Sequence, residues 1–295
     1  MGHTKNKQSL VKQVKDALDN RLAVGEKKHP DKSIKLADGR TLSSQKIYSW
    51  ETYRTYLKHC NYFTNWCKDN YKCKTLTDCR EHADEWLQSR IDAGLSAYTI
   101  KLEVSALGKL YGVSADELTA VKTPSRVRTE ITRSRGDAVR DAHFSEERNR
   151  DLVSFCQSTG LRRSELERLR GSDLIRSQDG RLIIKVIGGK GGRNRVAPVV
   201  GDVETVRRLC DAAGDGLVWG KVHSAADIHS YRRDYCQRVY DLHKRPVEQL
   251  HGHDLYHCRG DRKGWVFDRA AMLAASRALG HNRECVIAEH YLQNP

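Results

Sequence analysis

The chain has 295 residues, of which 38% are hydrophobic and 31% are charged. At roughly 150 residues per domain this length predicts about two domains, and the composition excludes a wholly disordered chain. The net charge of +14 predicts a polyanionic partner, most often nucleic acid. No apolar run reaches the ~20 residues of a membrane span, and the N-terminus lacks the apolar segment of a secretory signal. We therefore expect a cytoplasmic protein with reduced cysteines.

Cysteines and histidines cluster in the first third of the chain. The residues concerned are His59, Cys60, Cys67, Cys73, Cys79 and His82. Zinc sites use these ligand types, but the spacings here are wide and no C-x-x-C pair occurs in the sequence. The pattern favours buried thiols. We expect neither a metal ion nor a cofactor.

The first part of the chain shows the apolar spacing of helices. Five segments have this pattern: 5–24, 48–70, 79–93, 97–112 and 114–121. Thr77 or Asp78 would cap the third helix, and Gly94 would end it. We expect an N-terminal helical extension over residues 1–44 and an all-helical domain over residues 45–122.

A polar, arginine-rich stretch follows over residues 123–142, and its composition is typical of a linker. The arginines singled out as DNA-binding candidates are Arg126, Arg128, Arg133 and Arg135. They could lie along a phosphate backbone, or they could simply be solvated, and both interpretations stay open at this point.

Residues 143–295 predict a second, α+β domain. A capped helix over residues 145–160 precedes two or three antiparallel strands between 173 and 200, where apolar residues alternate with turn signals. From Asp202 onward the pattern is mainly helical. We expect a mostly α domain with one small antiparallel sheet.

Within this domain, residue types suited to phosphodiester chemistry follow one another. In chain order they are Arg162 and Glu165 in TGLRRSEL, Lys190 in GGKGGRNR, Arg259 in YHCR, His281 in ALGH and Tyr291 in EHYL. Together and in this order they resemble the tyrosine recombinases, the phage-integrase family. GLSAYTIKLEVSALGKLY in the first half is similar to that family's core-binding domain. The resemblance covers residues 45–295 and implies an all-α, SAM-like domain followed by a tyrosine-recombinase catalytic domain.

The resemblance implies a clamp on the scissile phosphate. Arg162 and Arg259 would form it, because a guanidinium fork can donate to two phosphate oxygens at once. Glu165 would hold Arg162 in place without contacting the phosphate itself.

The other family positions imply the groups that react. Tyr291 would attack the phosphorus and form a covalent phosphotyrosine. Lys190 would protonate the leaving 5′-oxygen from a hairpin tip, with Arg193 contacting DNA beside it. His281 would donate a hydrogen bond to the phosphate.

This sequence departs from the family pattern at the second arginine. The family motif is His-x-x-Arg, but Tyr256 stands three residues before Arg259. Another register would begin at His253, and we prefer Arg259 because it lies 22 residues before His281, close to the usual gap. Tyr256 is then the positional match for the proton acceptor, with His257 or His253 as possible substitutes.

The resemblance implies a site-specific recombinase or integrase of a mobile element in a prokaryotic cell. It would act through a 3′-phosphotyrosine and a Holliday junction, on double-stranded DNA sites, as a homotetramer in the synaptic complex. Whether the protein is a monomer when free in solution stays open. The alternatives are a type IB topoisomerase-like nicking and closing enzyme, or an inactive relative that only binds DNA.

Overall fold

The computed structural model describes residues 8–26, 45–125, 144–189, 192–293 and 295. The chain divides into two compact units, Met1–Val127 and Arg128–Pro295. The predicted linker lies largely outside the described residues, and so do the four arginines singled out in it. No helix in the described part of the chain is long and apolar enough to cross a membrane.

The described part of the first unit contains six helices. They are α1 (Leu10–Asp19), α2 (Trp50–Tyr71), α3 (Leu76–Arg80), α4 (Ala83–Asp92), α5 (Ala97–Tyr111) and α6 (Ala115–Leu118). Serine hydroxyls cap α2 and α5, where Ser49 accepts from the Thr52 N–H and Ser96 accepts from the Thr99 N–H. Four of the five predicted helical segments therefore form single helices near their expected positions.

The predicted third helix is divided in two. Thr75 caps α3, because its hydroxyl accepts from the Asp78 N–H while the Asp78 carboxylate accepts from the Thr75 N–H. Asp78 is thus the third residue of α3, and the residue that caps this helix is Thr75. The chain turns after Arg80, and α4 starts at Ala83.

One hydrophobic core fills the first unit. α1 contributes Leu10, Val14 and Leu18 to the same core as α2 and α5, so it packs as part of this helical domain. The four clustered cysteines, at positions 60, 67, 73 and 79, are buried there. Burial raises the pKa of Cys60 to about 12, which keeps it a neutral thiol.

The second unit is also mainly helical. Its helices are α7 (Arg150–Thr159), α8 (Arg163–Leu166), α9 (Val203–Ala213), α10 (Ile228–His243), α11 (Arg269–Ala278) and α12 (Glu284–His290). The predicted small sheet is present as β1 (Leu174–Arg176), β2 (Leu182–Val186) and β3 (Arg195–Pro198), antiparallel in that order. This mainly helical architecture with small antiparallel sheets confirms the predicted fold class.

A second hairpin was not predicted. β4 (Leu255–His257) pairs antiparallel with β5 (Val266–Asp268), with Tyr256 opposite Phe267. The chain after Asp202 is mainly helical as expected, but we expected one small sheet and the structure has a second. Each strand has only three residues, too few for the alternation of apolar and polar positions that marks a strand.

Helix α10 organises the second unit. It packs against α7 on one side and α11 on another, and its Tyr235 and Cys236 are fully buried. α11 in turn packs against α12. As a result the start of α8, the start of α10, the turn after α11 and the end of α12 meet around one point.

Candidate functional site

Arg162 is held at the start of α8 by the turn that ends α7. Gly160 has φ +59°, and a Cβ there would lie 2.2 Å from the Tyr235 ring, so only glycine fits. Arg162 follows in an extended conformation. Its Nη1 donates to Glu165 Oε1 at 2.8 Å, and its Nη2 donates to the Leu279 carbonyl at 3.1 Å.

Glu165 joins Arg162 to a second arginine that the sequence analysis did not consider. Arg195, on β3, donates to Glu165 Oε2 at 2.7 Å and to the Ala278 carbonyl at 2.9 Å. Burial alone would raise the pKa of Glu165. The Arg195 cation, the Arg162 N–H and the Arg162 cation outweigh this effect and hold the pKa below its usual value. Glu165 is therefore ionised, and it fixes both guanidinium groups.

Arg232 completes the set of arginines. It lies on the second turn of α10 and is only 2% exposed. Its guanidinium donates to the Gly160 carbonyl and, at 3.2 Å, to the Leu279 carbonyl that also accepts from Arg162. Burial lowers the pKa of Arg232 from 12.5, but a guanidinium remains a cation near neutral pH. Two arginines thus converge on one carbonyl oxygen.

Tyr291 lies beside this pair, directly after α12. Its side chain is 6% exposed, and its ring centre is 5.8 Å from the Arg232 guanidinium carbon. The phenol oxygen is 3.4 Å from His281 Nε2. The His281 backbone N–H donates to the Ser276 carbonyl at 2.7 Å, which fixes the turn after α11. The phenol therefore faces both a guanidinium and an imidazole.

His229, in the first turn of α10, is the second imidazole at the phenol. Its ring centre is 5.3 Å from that of Tyr291. Part of the ring reaches solvent, but the protein packed around it and, next, the Arg232 cation lower its pKa below 6.5. Near pH 7 the ring is neutral, so one of its nitrogens can accept a proton.

The electrostatics of the cluster favour an anion. Among the described residues of the cluster, three guanidinium groups face one carboxylate, that of Glu165. Such an excess of fixed positive charge suits a phosphate group, whose oxygens accept bidentate hydrogen bonds from arginine. The phenol of Tyr291 lies beside this cluster.

The structure brings together four of the residues singled out from the sequence: Arg162, Glu165, His281 and Tyr291. Arg259 and Tyr256 lie elsewhere, in a pocket formed by β4, the turn after it and α12. His257 lines that pocket as well, and the His253 side chain is 93% exposed beside Asp254. Arg232 and His229 occupy the places at the phenol that the sequence analysis gave to Arg259 and Tyr256.

The signal for the missed pair is present in the sequence. His229 and Arg232 have the His-x-x-Arg spacing that the family motif requires. The pair was not among the residues singled out from the sequence, and 49 residues separate Arg232 from His281, where about 22 are usual. Much of the excess is the stretch that carries β4 and β5. The long separation between motif and histidine thus made the gap a misleading guide.

The remaining predicted residues belong to the loop between β2 and β3 or to the linker. Lys190 lies outside the described residues. Its neighbour Gly189 is close to the cluster, since a Cβ there would be 3.2 Å from Glu165 Oε1. Arg193 is exposed in the same loop, and its carbonyl accepts from the Gly189 N–H at 2.9 Å.

Comparison with known proteins identifies the first unit. Residues 39–117 match the model of the phage integrase N-terminal SAM-like domain. This match confirms the SAM-like helical domain predicted for this part of the chain.

Sequence identity to the solved structures that match is low. No curated protein matches the sequence. Among solved structures, the Tn1549 transposon integrase (residues 82–397) in complex with circular intermediate DNA is 12% identical, with a TM-score of 0.45, over 98% of this chain and 96% of that one. XerA recombinase is 16% identical, with a TM-score of 0.32, over 83% of this chain and 89% of that one.

Proposed function

We propose that this chain, whose first unit carries the SAM-like domain of the phage integrases, is a site-specific DNA recombinase of the tyrosine type. The observation that carries the proposal is the convergence of Arg162 and Arg232 on the Leu279 carbonyl beside Tyr291. A phosphate oxygen bound between these guanidiniums would lie next to the phenol. The net charge of +14 supports a DNA substrate.

The proposed reaction is a transesterification. The Tyr291 oxygen attacks the scissile phosphorus, the bond to the 5′-oxygen breaks, and a 3′-phosphotyrosine forms. Arg162 and Arg232 stabilise the charge that develops on the non-bridging oxygens, and His281 donates a further hydrogen bond. Attack by another 5′-hydroxyl reverses the step and joins the strand to a new partner.

Two protons have to move in this step. We assign the phenol proton of Tyr291 to His229, because a neutral imidazole accepts protons near pH 7 whereas the phenol of Tyr256 does not. The pKa of Tyr256 is raised further by burial and by nearby Cys285, Cys258 and Glu289. Lys190 supplies the proton to the leaving 5′-oxygen, as the family motif implies.

On this proposal the protein acts on two double-stranded sites at the ends of a mobile element. Four copies exchange the strands in turn through a Holliday junction, within the cytoplasm of a prokaryotic host. The covalent intermediate conserves the energy of the phosphodiester bond, so the rejoining step needs no nucleotide cofactor.

The test is capture of the covalent intermediate. The full chain is incubated with a pool of nicked duplexes, which lose the 5′-leaving fragment, and protein–DNA adducts are separated on a denaturing gel. Peptide mapping should locate the nucleotide on Tyr291. Tyr291→Phe should bind DNA and form no adduct, whereas the matched control Tyr256→Phe should still form it.

Adduct formation by Tyr291→Phe would refute the proposal. Relaxation of supercoiled plasmid without site preference would instead indicate a topoisomerase. DNA binding without any adduct in the wild-type protein would indicate an inactive relative.

A further inference from the structure

A basic pocket lies against α12 and shares no lining residue with the cluster around Tyr291. Its volume is about 550 Å³, and its lining includes Tyr256, His257, Arg259, Arg262, Arg269 and Glu289. It is built by β4, by the turn that leads to β5 and by the first residue of α11. None of the residues assigned above to the reaction of Tyr291 lines it.

Three arginines line this pocket, and main-chain carbonyls hold two of them in place. Arg262 donates to the Ala288 carbonyl at 2.7 Å and lies 4.7 Å from the centre of the Trp265 ring. Arg269 donates to the Leu255 carbonyl at 3.3 Å. Both side chains are thereby held at the pocket.

Arg259 is the most available of the three. Its side chain is exposed, and it makes no hydrogen bond or ion pair to any residue that the structure describes. The nearby carboxylates of Asp254 and Asp268 are both engaged by Arg245, at 3.3 and 2.8 Å. Within the described lining, Glu289 is the one carboxylate set against three guanidiniums.

We infer that this pocket binds a second phosphate of the DNA backbone, near the one attacked by Tyr291. The inference rests on the proposed function. Ala288 and Glu289 line the pocket, and Tyr291 follows them at about 1.5 Å of helix rise per residue. The pocket therefore lies within about one helix diameter, ~10–12 Å, of Tyr291. A duplex carries one phosphate per ~1.7 Å of its axis, so DNA cut by Tyr291 has other phosphates at such distances from the one attacked.

Occupancy of the pocket acts on the helix that leads to the nucleophile. Arg262 is tied to the Ala288 carbonyl in the last turn of α12, and Arg259 faces the same space. A phosphate held by both would fix the end of α12 against the hairpin β4–β5. Arg259 is thereby a DNA-binding residue, with no part in the transfer of the phosphoryl group.

The experiment is the salt dependence of DNA binding by the full chain, measured on an uncut duplex of mixed sequence. Loss of one phosphate contact should lower the slope of log affinity against log salt by about 0.9. We expect this change for Arg259→Gln. Arg259→Lys should keep the slope, because the charge remains.

The matched control is Arg207→Gln. Arg207 is exposed on α9, where it pairs with Glu204 at 2.7 Å, so this variant loses the same charge away from the pocket. Its slope should equal that of the wild-type protein. Equal slopes for Arg259→Gln and Arg207→Gln would overturn the inference.

A second measurement identifies the source of the phosphate. Phenylglyoxal modifies accessible arginines, and peptide mapping gives the extent of reaction at Arg259. The duplex should protect Arg259, whereas inorganic phosphate at the same phosphate concentration should not. Equal protection by inorganic phosphate would overturn the assignment to DNA.

Failure of this inference and failure of the proposed function give different results. If the wild-type protein forms the Tyr291 adduct but the two glutamine variants have equal slopes, the pocket assignment fails alone. If Arg259→Gln lowers the slope but no adduct forms, the pocket binds DNA and the recombinase proposal fails.

Discussion

Replacement of Glu165 by glutamine tests the arrangement of the arginines most directly. The Glu165 side chain is 2% exposed, and its carboxylate accepts from the Arg162 N–H and from the guanidiniums of Arg162 and Arg195. Removing one partner of a buried ion pair costs about 3–5 kcal/mol, because the other charge stays buried and uncompensated. For a domain of this size each kcal/mol lowers the melting temperature by about 2–4 °C. We therefore expect Glu165→Gln to melt roughly 6–20 °C below the wild-type protein.

Differential scanning calorimetry of the full chain measures this shift, with Glu204→Gln as the control. Glu204 pairs with Arg207 at 2.7 Å on the surface of α9, where such a pair contributes only about 0–1 kcal/mol. The pKa of Glu165 is lowered in the folded state, so its stabilisation is complete above the unfolded pKa of about 4.3. It is lost as the pH falls through the folded-state pKa. The gap between wild type and Glu165→Gln should thus be widest near pH 7 and close in acid. Equal melting temperatures for the two glutamine variants, or a gap independent of pH, would refute the reasoning.

Three further predictions concern the reaction itself. Arg232→Lys should bind DNA but cleave at least ~10²-fold more slowly, because lysine lacks the guanidinium fork, while Arg259→Lys should cleave at the wild-type rate. Single-turnover gels measure both rates, and the opposite result would make Arg259 the second arginine of the clamp. The cleavage rate should rise with pH through a midpoint below 6.5, as His229 loses its proton. His229→Ala should cleave slowly and show no such rise with pH, whereas His257→Ala should keep it. Cleavage should persist in excess EDTA because the guanidiniums of Arg162 and Arg232 can stabilise the phosphate; loss with EDTA and recovery with magnesium would contradict this mechanism.

The sequence was most informative where local interactions decide the structure. Helices such as α2 and α5 begin at a capping serine and carry apolar residues at helical spacing, and both were predicted. Arg162, His281 and Tyr291 were found because each belongs to a short motif whose members are close in the chain.

The sequence was least informative where the structure depends on contacts between distant segments. Arg232 meets Arg162 only through the folding of α10 against α7, and the gap between motifs, lengthened by β4 and β5, directed attention to Arg259. Arg195 was missed for the same reason. The contact that brings it to the site is its ion pair with Glu165, which lies 30 residues earlier in the chain. Three-residue strands leave no periodicity to detect.

The shared acceptor of Arg162 and Arg232 is a main-chain carbonyl, and this has a consequence for how the site tolerates sequence change. The side chain of Leu279 can vary with its packing, because every residue type supplies the same oxygen. The shape of the chain at this point cannot vary in the same way. Gly280, which follows with φ +79°, leaves no room for a Cβ, which would lie 2.7 Å from Arg195 Cδ. Replacement of the buried Leu279 by another apolar residue of similar volume should therefore leave the acceptor in place. A single methyl group at position 280 would instead displace the acceptor and disturb the spacing of both guanidiniums.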